Sequence, residues 1–326
     1  MWLDTFLLIL GVAIILVGAD MLTDGAVAVA RKIGISEIVT GLTIVAFGTS
    51  APELVIGLVS ALNNSSELAV GNVVGSNIFN ILVILGITAL IKPIRVGKGV
   101  MNNEIPLVIL AAIALCAIGL SPVIDPGSSM TVSRVNGIFL LLFFLVFMRL
   151  TFANARSAAP SDPAARNIST KAPMSWFKAL IFIVLGLTGL VLGGEWFVKG
   201  ASGIALALGV SEAVVGLTIV AVGSSLPELA TSVSAALKGN PDIALGNVIG
   251  SNIFNVFFVL GTTAVVRPLS FGNIGYYDLG TLLIASVLFW VMARFYKDKT
   301  ITRPEGAVML SLYVIYTGWL IVNITK

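Results

Sequence analysis

GNVVGSNIFN, Gly71 to Asn80, returns almost unchanged as GNVIGSNIFN, Gly246 to Asn255. The chain around both copies is apolar, and apolar sequence drifts freely among Leu, Ile and Val. A block of Gly, Ser and Asn kept twice in such surroundings has a chemical role that hydrophobicity does not supply. The shift of 175 residues that carries Gly71 onto Gly246 also carries GLTIVAFGTSAPEL (Gly41–Leu54) onto GLTIVAVGSSLPEL (Gly216–Leu229). About half of the positions from Gly41 to Pro93 match their counterparts under this shift. The chain is therefore built from two copies of one unit.

Composition sets the solvent. The chain is 57% hydrophobic and 11% charged, with a mean hydropathy of +1.05, whereas soluble domains carry about 25% charged residues. Apolar runs of about 17 to 25 residues, each long enough to cross a hydrocarbon core as a helix, recur from end to end. The expected fold is an all-α integral membrane protein of ten transmembrane helices, at 3–30, 38–62, 68–91, 103–120, 134–150, 176–200, 211–237, 243–266, 279–295 and 305–322. The first run lacks a basic leader and exceeds a signal h-region, so it reads as a span. With no His and the single Cys116 inside an apolar run, His-based catalysis, thiolate metal sites and a disulfide framework are excluded.

Each unit holds five spans, an odd number, so the second starts from the opposite side of the membrane. The expected architecture is two inverted five-helix repeats: 1–150 with its motif at 41–86, and 176–326 with its motif at 216–261. All but Arg134, Lys199, Arg267 and Lys326 of the 19 Lys and Arg fall at one set of span ends, which the positive-inside rule assigns to the cytoplasm. Both termini then lie outside an inner (cell) membrane, and the Ala/Pro/Ser-rich segment 151–175 is a cytoplasmic linker. The net charge of +3 follows from this topology and calls for no nucleic acid. Inverted repeats with interrupted helices are a transporter signature and place the substrate near the midplane.

The interruptions are visible. Pro52 and Pro227 follow Gly48-Thr49-Ser50 and Gly223-Ser224-Ser225 inside the second and seventh spans. Proline removes a helical hydrogen bond and glycine loosens the backbone, so both helices should break and free carbonyls toward a cavity. Glu53 and Glu228 come one residue later. An acid at the bilayer centre costs on the order of 2.5–3.5 kcal/mol, which marks it as functional unless it is ion-paired. No Lys or Arg lies between Lys32 and Lys92, or between Lys199 and Lys238, so a bound cation or a proton is the expected counter-charge. Ser76 and Asn80 share a helical face, as do Ser251 and Asn255. Gly71-x-x-x-Gly75 and Gly246-x-x-x-Gly250 admit a close neighbour. Helix packing alone is the other reading of these blocks. Beside two acids, the hydroxyls, amides and carbonyls form a hard all-oxygen set suited to Ca²⁺, and equally usable by Na⁺.

These paired blocks resemble the two α-repeats of the cation/Ca²⁺ exchanger superfamily, in its prokaryotic sodium/calcium exchanger branch, across essentially the whole chain. The resemblance implies an antiporter that extrudes Ca²⁺ as Na⁺ enters, by alternating access, with the first and sixth spans sliding. It implies that Glu53 and Glu228 bind Ca²⁺ and help bind Na⁺, and that Thr49 and Ser224 offer backbone carbonyls. By the same resemblance Ser50, Ser225, Ser76 and Ser251 give hydroxyls to flanking Na⁺ sites, Ala46 and Ala221 give carbonyls, and Asn80 and Asn255 form the central pair. Potassium-dependent members carry Asp at one of those two positions, so the Asn pair argues against K⁺ co-transport.

Ser36-Glu37 and Ser211-Glu212 read as helix starts. Asp20 with Glu195, and Asp24 with Lys199, read as residues that reach water from long tilted spans, with the lining of ion entrances as the other reading. Glu67, Asp125 and Asp242 read as loop residues. A proton/Ca²⁺ antiporter, or a carrier of another divalent cation such as Mg²⁺ or Mn²⁺, is the alternative on the same scaffold. An intramembrane enzyme lacks its nucleophile and base. No cofactor is expected beyond the transported ions, and no protein partner beyond the lipid bilayer.

Overall fold

The computed structural model describes residues 1–63, 65–157, 174–208, 221–295 and 299–324, with the side chains of 154–157, 221, 323 and 324 excepted. These residues are mostly helical. The first half gives α1 (Trp2–Ile33), the bent pair α2 (Glu37–Thr49) and α3 (Ala51–Leu62), α4 (Ser66–Ile91), α5 (Val100–Gly119) and α6 (Arg134–Ser157). The second gives α7 (Trp176–Ala207), α8 (Ala221–Ser224), α9 (Leu226–Leu237), α10 (Pro241–Val266), α11 (Tyr276–Phe295) and α12 (Arg303–Ile324).

Among the described residues, 8 helices are long and apolar enough to cross a membrane, or 9 with α2 and α3 taken as one span bent by 41°. The expected span 211–237 is described only from Ala221 onward. Most of the expected linker, and the Ser211-Glu212 helix start, lie outside the described residues. Glu67 and Asp242, expected in loops, stand in the first turns of α4 and α10. Both helices begin two residues earlier than hydropathy alone indicates, because an acid at a helix start is stabilised by the dipole.

Local chemistry sets the helix ends. Gly34, at φ 72°, closes α1 in the left-handed conformation that glycine adopts without penalty. Ser36 caps α2 by accepting from the Val39 N–H, and Ser175 caps α7 by accepting from the Lys178 N–H. Pro52 and Pro227 sit in the first turns of α3 and α9, where a missing N–H costs nothing.

Two helices form the centre. Of their most apolar stretches, 78% of α4 and 94% of α10 is buried, against 28% for each of α1 and α7. The Gly, Ser and Asn of the repeated block allow this, since small and hydrogen-bonding side chains let neighbours close in on every side. A Cβ added to Gly41 would lie 2.5 Å from the Ile243 carbonyl, and one added to Gly246 would lie 2.5 Å from the Ile38 carbonyl. Gly250 likewise meets Ala46 at 2.7 Å. Gly71 and Gly75 make no such backbone contact among the described residues. The positions that correspond to Ile38 and Leu42 under the shift, 213 and 217, are outside the described residues.

The halves are joined at two short antiparallel ribbons. β1 (Ile94–Arg95) pairs with β4 (Thr300–Ile301), and β2 (Thr131–Val132) with β3 (Leu269–Ser270), so each ribbon takes one strand from each half. At the periphery, α1 and α7 run antiparallel and touch through glycines spaced seven apart. A methyl group on Gly11, Gly18 or Gly25 would lie 2.5–2.9 Å from the backbone of α7, and one on Gly186 or Gly193 would lie 2.6–2.9 Å from that of α1. Gly200 meets the backbone of Asp4 and Leu8 in the same way.

Candidate ion-binding site

The site lies where both helix breaks face α4 and α10. Ser50, at φ −87° and ψ 8°, separates α2 from α3, and Ser225, at φ −91° and ψ 5°, separates α8 from α9. Both fall in the sparsely populated bridge region that ends a helix without a turn of loop. Pro52 and Pro227 have no N–H for the carbonyls of Gly48 and Gly223 four residues back. Glu53 and Glu228 follow in the first turns of α3 and α9. Stretches of π-helix, Gly41–Val45 before the first break and Asn80–Ile84 and Phe254–Leu260 in the central helices, carry further backbone irregularity to the same region.

Both carboxyls are buried, at 0% exposure for Glu53 and 1% for Glu228. They share one cluster, since Ser50, three residues before Glu53, bonds to Glu228, and no Lys or Arg among the described residues pairs with either. The ion-pair alternative for these acids therefore has no partner here. Ser50 Oγ donates to Glu228 Oε1 at 2.9 Å, and Thr49 and Ser251 flank the same carboxyl. Ser224 neighbours Glu53, yet among the described residues no hydrogen bond reaches either Glu53 oxygen.

The expected residues come together from four elements. Thr49, Ser50, Ser76, Asn80, Ser225, Ser251 and Asn255 are all buried, and Ser224 is half-buried. Ser76 Oγ lies 3.4 Å from Ser224 Oγ across the two halves. The Ala46 carbonyl accepts the Ser50 N–H at 3.0 Å and the Thr49 hydroxyl at 3.5 Å. Ser225 N–H turns instead to the Val222 carbonyl at 3.1 Å, away from Ala221. Polar atoms without a hydrogen-bond partner among the described residues cluster here: both Glu53 oxygens, Glu228 Oε2, Ser225 Oγ, Ser251 Oγ, both amide atoms of Asn80 and Asn255 Oδ1. Buried polar groups are otherwise paired in folded proteins, so this concentration of oxygens fits a hard cation as ligand. No three of His, Cys, Asp or Glu gather among the described residues, so neutral oxygens must supply the rest of any coordination shell.

Four asparagines escaped the sequence reading. Asn247 Oδ1 accepts from Thr49 Oγ1 at 3.2 Å, while its Nδ2 donates to the Glu228 carbonyl at 3.3 Å and to Ser232 Oγ at 3.0 Å. Its counterpart Asn72 accepts from Ser224 Oγ at 3.0 Å. Asn77 Nδ2 donates to the Asn252 carbonyl at 3.1 Å, and Asn255 Nδ2 to Asn77 Oδ1 at 3.1 Å. These contacts tie the breaks to the central helices and the central helices to each other. A signal existed for Asn72 and Asn247: each stands four residues before Ser76 or Ser251 and so extends the same helical face. Asn77 and Asn252 lie off that face, and nothing in the spacing marked them.

Known proteins resemble this chain along nearly its whole length. The family model described as sodium/calcium exchanger protein matches residues 3–153 and 178–322. Inner membrane protein YrbG of Escherichia coli (strain K12) is 36% identical over 98% of this chain and 97% of its own. Sodium/calcium exchanger MaX1 of Methanosarcina acetivorans is 31% identical over 95% of this chain and 96% of its own. A solved structure of the sodium-calcium exchanger NCX_Mj, soaked with Na⁺ and Sr²⁺, superposes with a TM-score of 0.82 at 32% identity, covering 97% of this chain and 98% of that one.

Proposed function

The chain belongs to the sodium/calcium exchanger family, and from that premise we propose that it is a secondary antiporter that extrudes Ca²⁺ in exchange for Na⁺. Its relatives are transporters and not enzymes, and it is a multi-pass membrane protein. In this reading ten spans form two inverted repeats, 1–150 and 176–326, joined by a cytoplasmic linker at 151–175, with both termini outside the inner membrane. Ions are exchanged by alternating access at one midplane site.

The observation that carries the reading is a pair of fully buried carboxylates, one from each half, with no basic side chain beside them among the described residues. Left bare, each would cost about 2.5–3.5 kcal/mol in the bilayer. One Ca²⁺ cancels both charges. Glu53 and Glu228, with the carbonyls of Thr49 and Ser224, would hold it. Na⁺ ions would use the same acids with the hydroxyls of Ser50, Ser225, Ser76 and Ser251 and the carbonyls of Ala46 and Ala221. Asn80 and Asn255 add amide oxygens without charge, so the site carries two formal negatives, and competition for them makes the exchange obligatory.

The test is ⁴⁵Ca²⁺ uptake into proteoliposomes under an imposed Na⁺ gradient and, separately, under a pH gradient. Uptake driven by Na⁺ is expected. Uptake driven by the pH gradient alone would replace this reading with proton/Ca²⁺ exchange.

A further inference from the structure

At the far end of α9, away from the carboxylates, Lys238 closes the helix. Its Nζ lies 2.9 Å from Asp24 Oδ1, 3.2 Å from Asp20 Oδ1 and 2.9 Å from the Asp20 carbonyl. An ammonium has three protons, and here each finds an acceptor. Ser234 Oγ adds a bond to the same Asp20 Oδ1 at 2.5 Å. The two acids of α1 therefore do more than reach water: they tie that helix to α9 of the other half.

The repeat does not duplicate this cluster. The shift that overlays the two halves carries Asp20 onto Glu195, Asp24 onto Lys199, Ser234 onto Val59 and Lys238 onto Asn63. The lysine and the hydroxyl are gone, and a lysine stands where an acid stood. Packing breaks the symmetry in the same direction. Among the described residues, α1 lies along α9, while α7 makes no contact of similar extent with α3. Ser234 is accordingly 9% exposed and its counterpart Val59 is 50% exposed.

The α1/α7 pair also stands apart from the main core. Its contact with the bundle is a separate apolar cluster in which Ile15, Ala19 and Leu22 meet Ala235, Ile243 and Ala244. Its internal interface brings glycines against backbone along its length. Such a pair can change its lean on the bundle without unpacking the centre.

We propose that Lys238, Asp20, Asp24 and Ser234 form a one-sided latch that holds the α1/α7 pair on α9 and biases the conformational equilibrium toward the arrangement described. The proposal rests on the alternating-access reading. In the opposite state the pair leans on α3 by the same pseudo-two-fold axis. Glu195 and Lys199 then face Val59 and Asn63, and no ion cluster forms. The Lys238 end, cytoplasmic by the charge rule, is closed in the latched state.

Hydrogen–deuterium exchange of the purified protein reads the two states directly. Lys238→Met should raise exchange across residues 226–240 and lower it across 51–65, by a shift of about two- to fivefold in the ratio of the states. Lys238→Arg should restore the wild-type pattern. Rebuilding the cluster on the other side with Val59→Ser, Asn63→Lys and Lys199→Asp should move exchange in the same direction as Lys238→Met, from an intact first latch. Unchanged exchange in Lys238→Met, or no shift in the rebuilt variant, overturns the latch. Sodium-driven ⁴⁵Ca²⁺ uptake by the wild type is measured alongside. Its absence overturns the transport reading, whereas normal uptake with an unmoved exchange pattern overturns the latch alone.

Discussion

Glu53 and Glu228 hold matching places in matching motifs, and the protein treats them differently. Glu228 receives the Ser50 hydroxyl at 2.9 Å, while among the described residues the mirror-related bond from Ser225 to Glu53 is absent and both Glu53 oxygens are bare. The asparagines differ in the same sense. Asn247 uses its amide nitrogen twice, whereas Asn72 Nδ2 is buried without a partner among the described residues. The reason lies outside the motif. Ser232, which accepts from Asn247, corresponds to Gly57, and a Cβ at Gly57 would sit 2.9 Å from Thr263 Oγ1. Duplicated chemistry has been placed in unequal surroundings, so the first half contributes the looser carboxylate and the second the better-braced one.

The largest expected effect tests whether the unequal halves still act as one site. Glu53→Gln and Glu228→Gln should each reduce Na⁺-driven ⁴⁵Ca²⁺ exchange by at least about 100-fold, since about 2.8 kcal/mol of charge matching is lost in either case. Survival of transport in one variant would separate the halves and break the shared site.

The asparagine pair sharpens the contrast. Asn247→Ala removes three hydrogen bonds, with the Thr49 hydroxyl, the Glu228 carbonyl and the Ser232 hydroxyl, and should lower the stability of the ion-free protein by about 3 kcal/mol. Asn72→Ala gives up the single bond from Ser224 and should cost about 1 kcal/mol. Thermal unfolding in detergent without Ca²⁺ or Na⁺ compares them, and equal losses would show that the asymmetry has no energetic content.

The smallest effect concerns the serines at the breaks. Ser50→Ala removes a hydrogen bond to a carboxyl and should cost about 1.5 kcal/mol in the ion-free state, while Ser225→Ala should stay within about 0.5 kcal/mol. A reversed order would mean that Glu53, and not Glu228, is the braced acid.

Much of the protein was legible in the sequence because the bilayer is a harsh solvent. Apolar runs this long in lipid are helices, so the starts of the described spans followed from hydropathy to within a few residues, while α6 and α7 run seven residues past their expected ends. A buried acid in lipid is conspicuous for its cost, so Glu53 and Glu228 stood out, and the break residues beside Pro52 and Pro227 followed from backbone chemistry. The repeat placed Ser76, Asn80, Ser251 and Asn255 opposite them. Sequence alone thus named the candidate atoms for a cation.

Only the tertiary structure decided how those atoms are shared. Asn77 had to be seen to reach across the halves, to the Asn252 carbonyl and to the Asn255 amide, since contacts between helices depend on rotation and approach, which a helical period does not encode. The Asp20 and Asp24 cluster with Lys238 joins residues more than 200 positions apart in the chain. A repeat read from the sequence gives two like units, while the packed protein lays α1 along α9 and gives α7 no contact of similar extent with α3 among the described residues. That difference depends on how whole helices approach one another, which two copies of one motif do not encode.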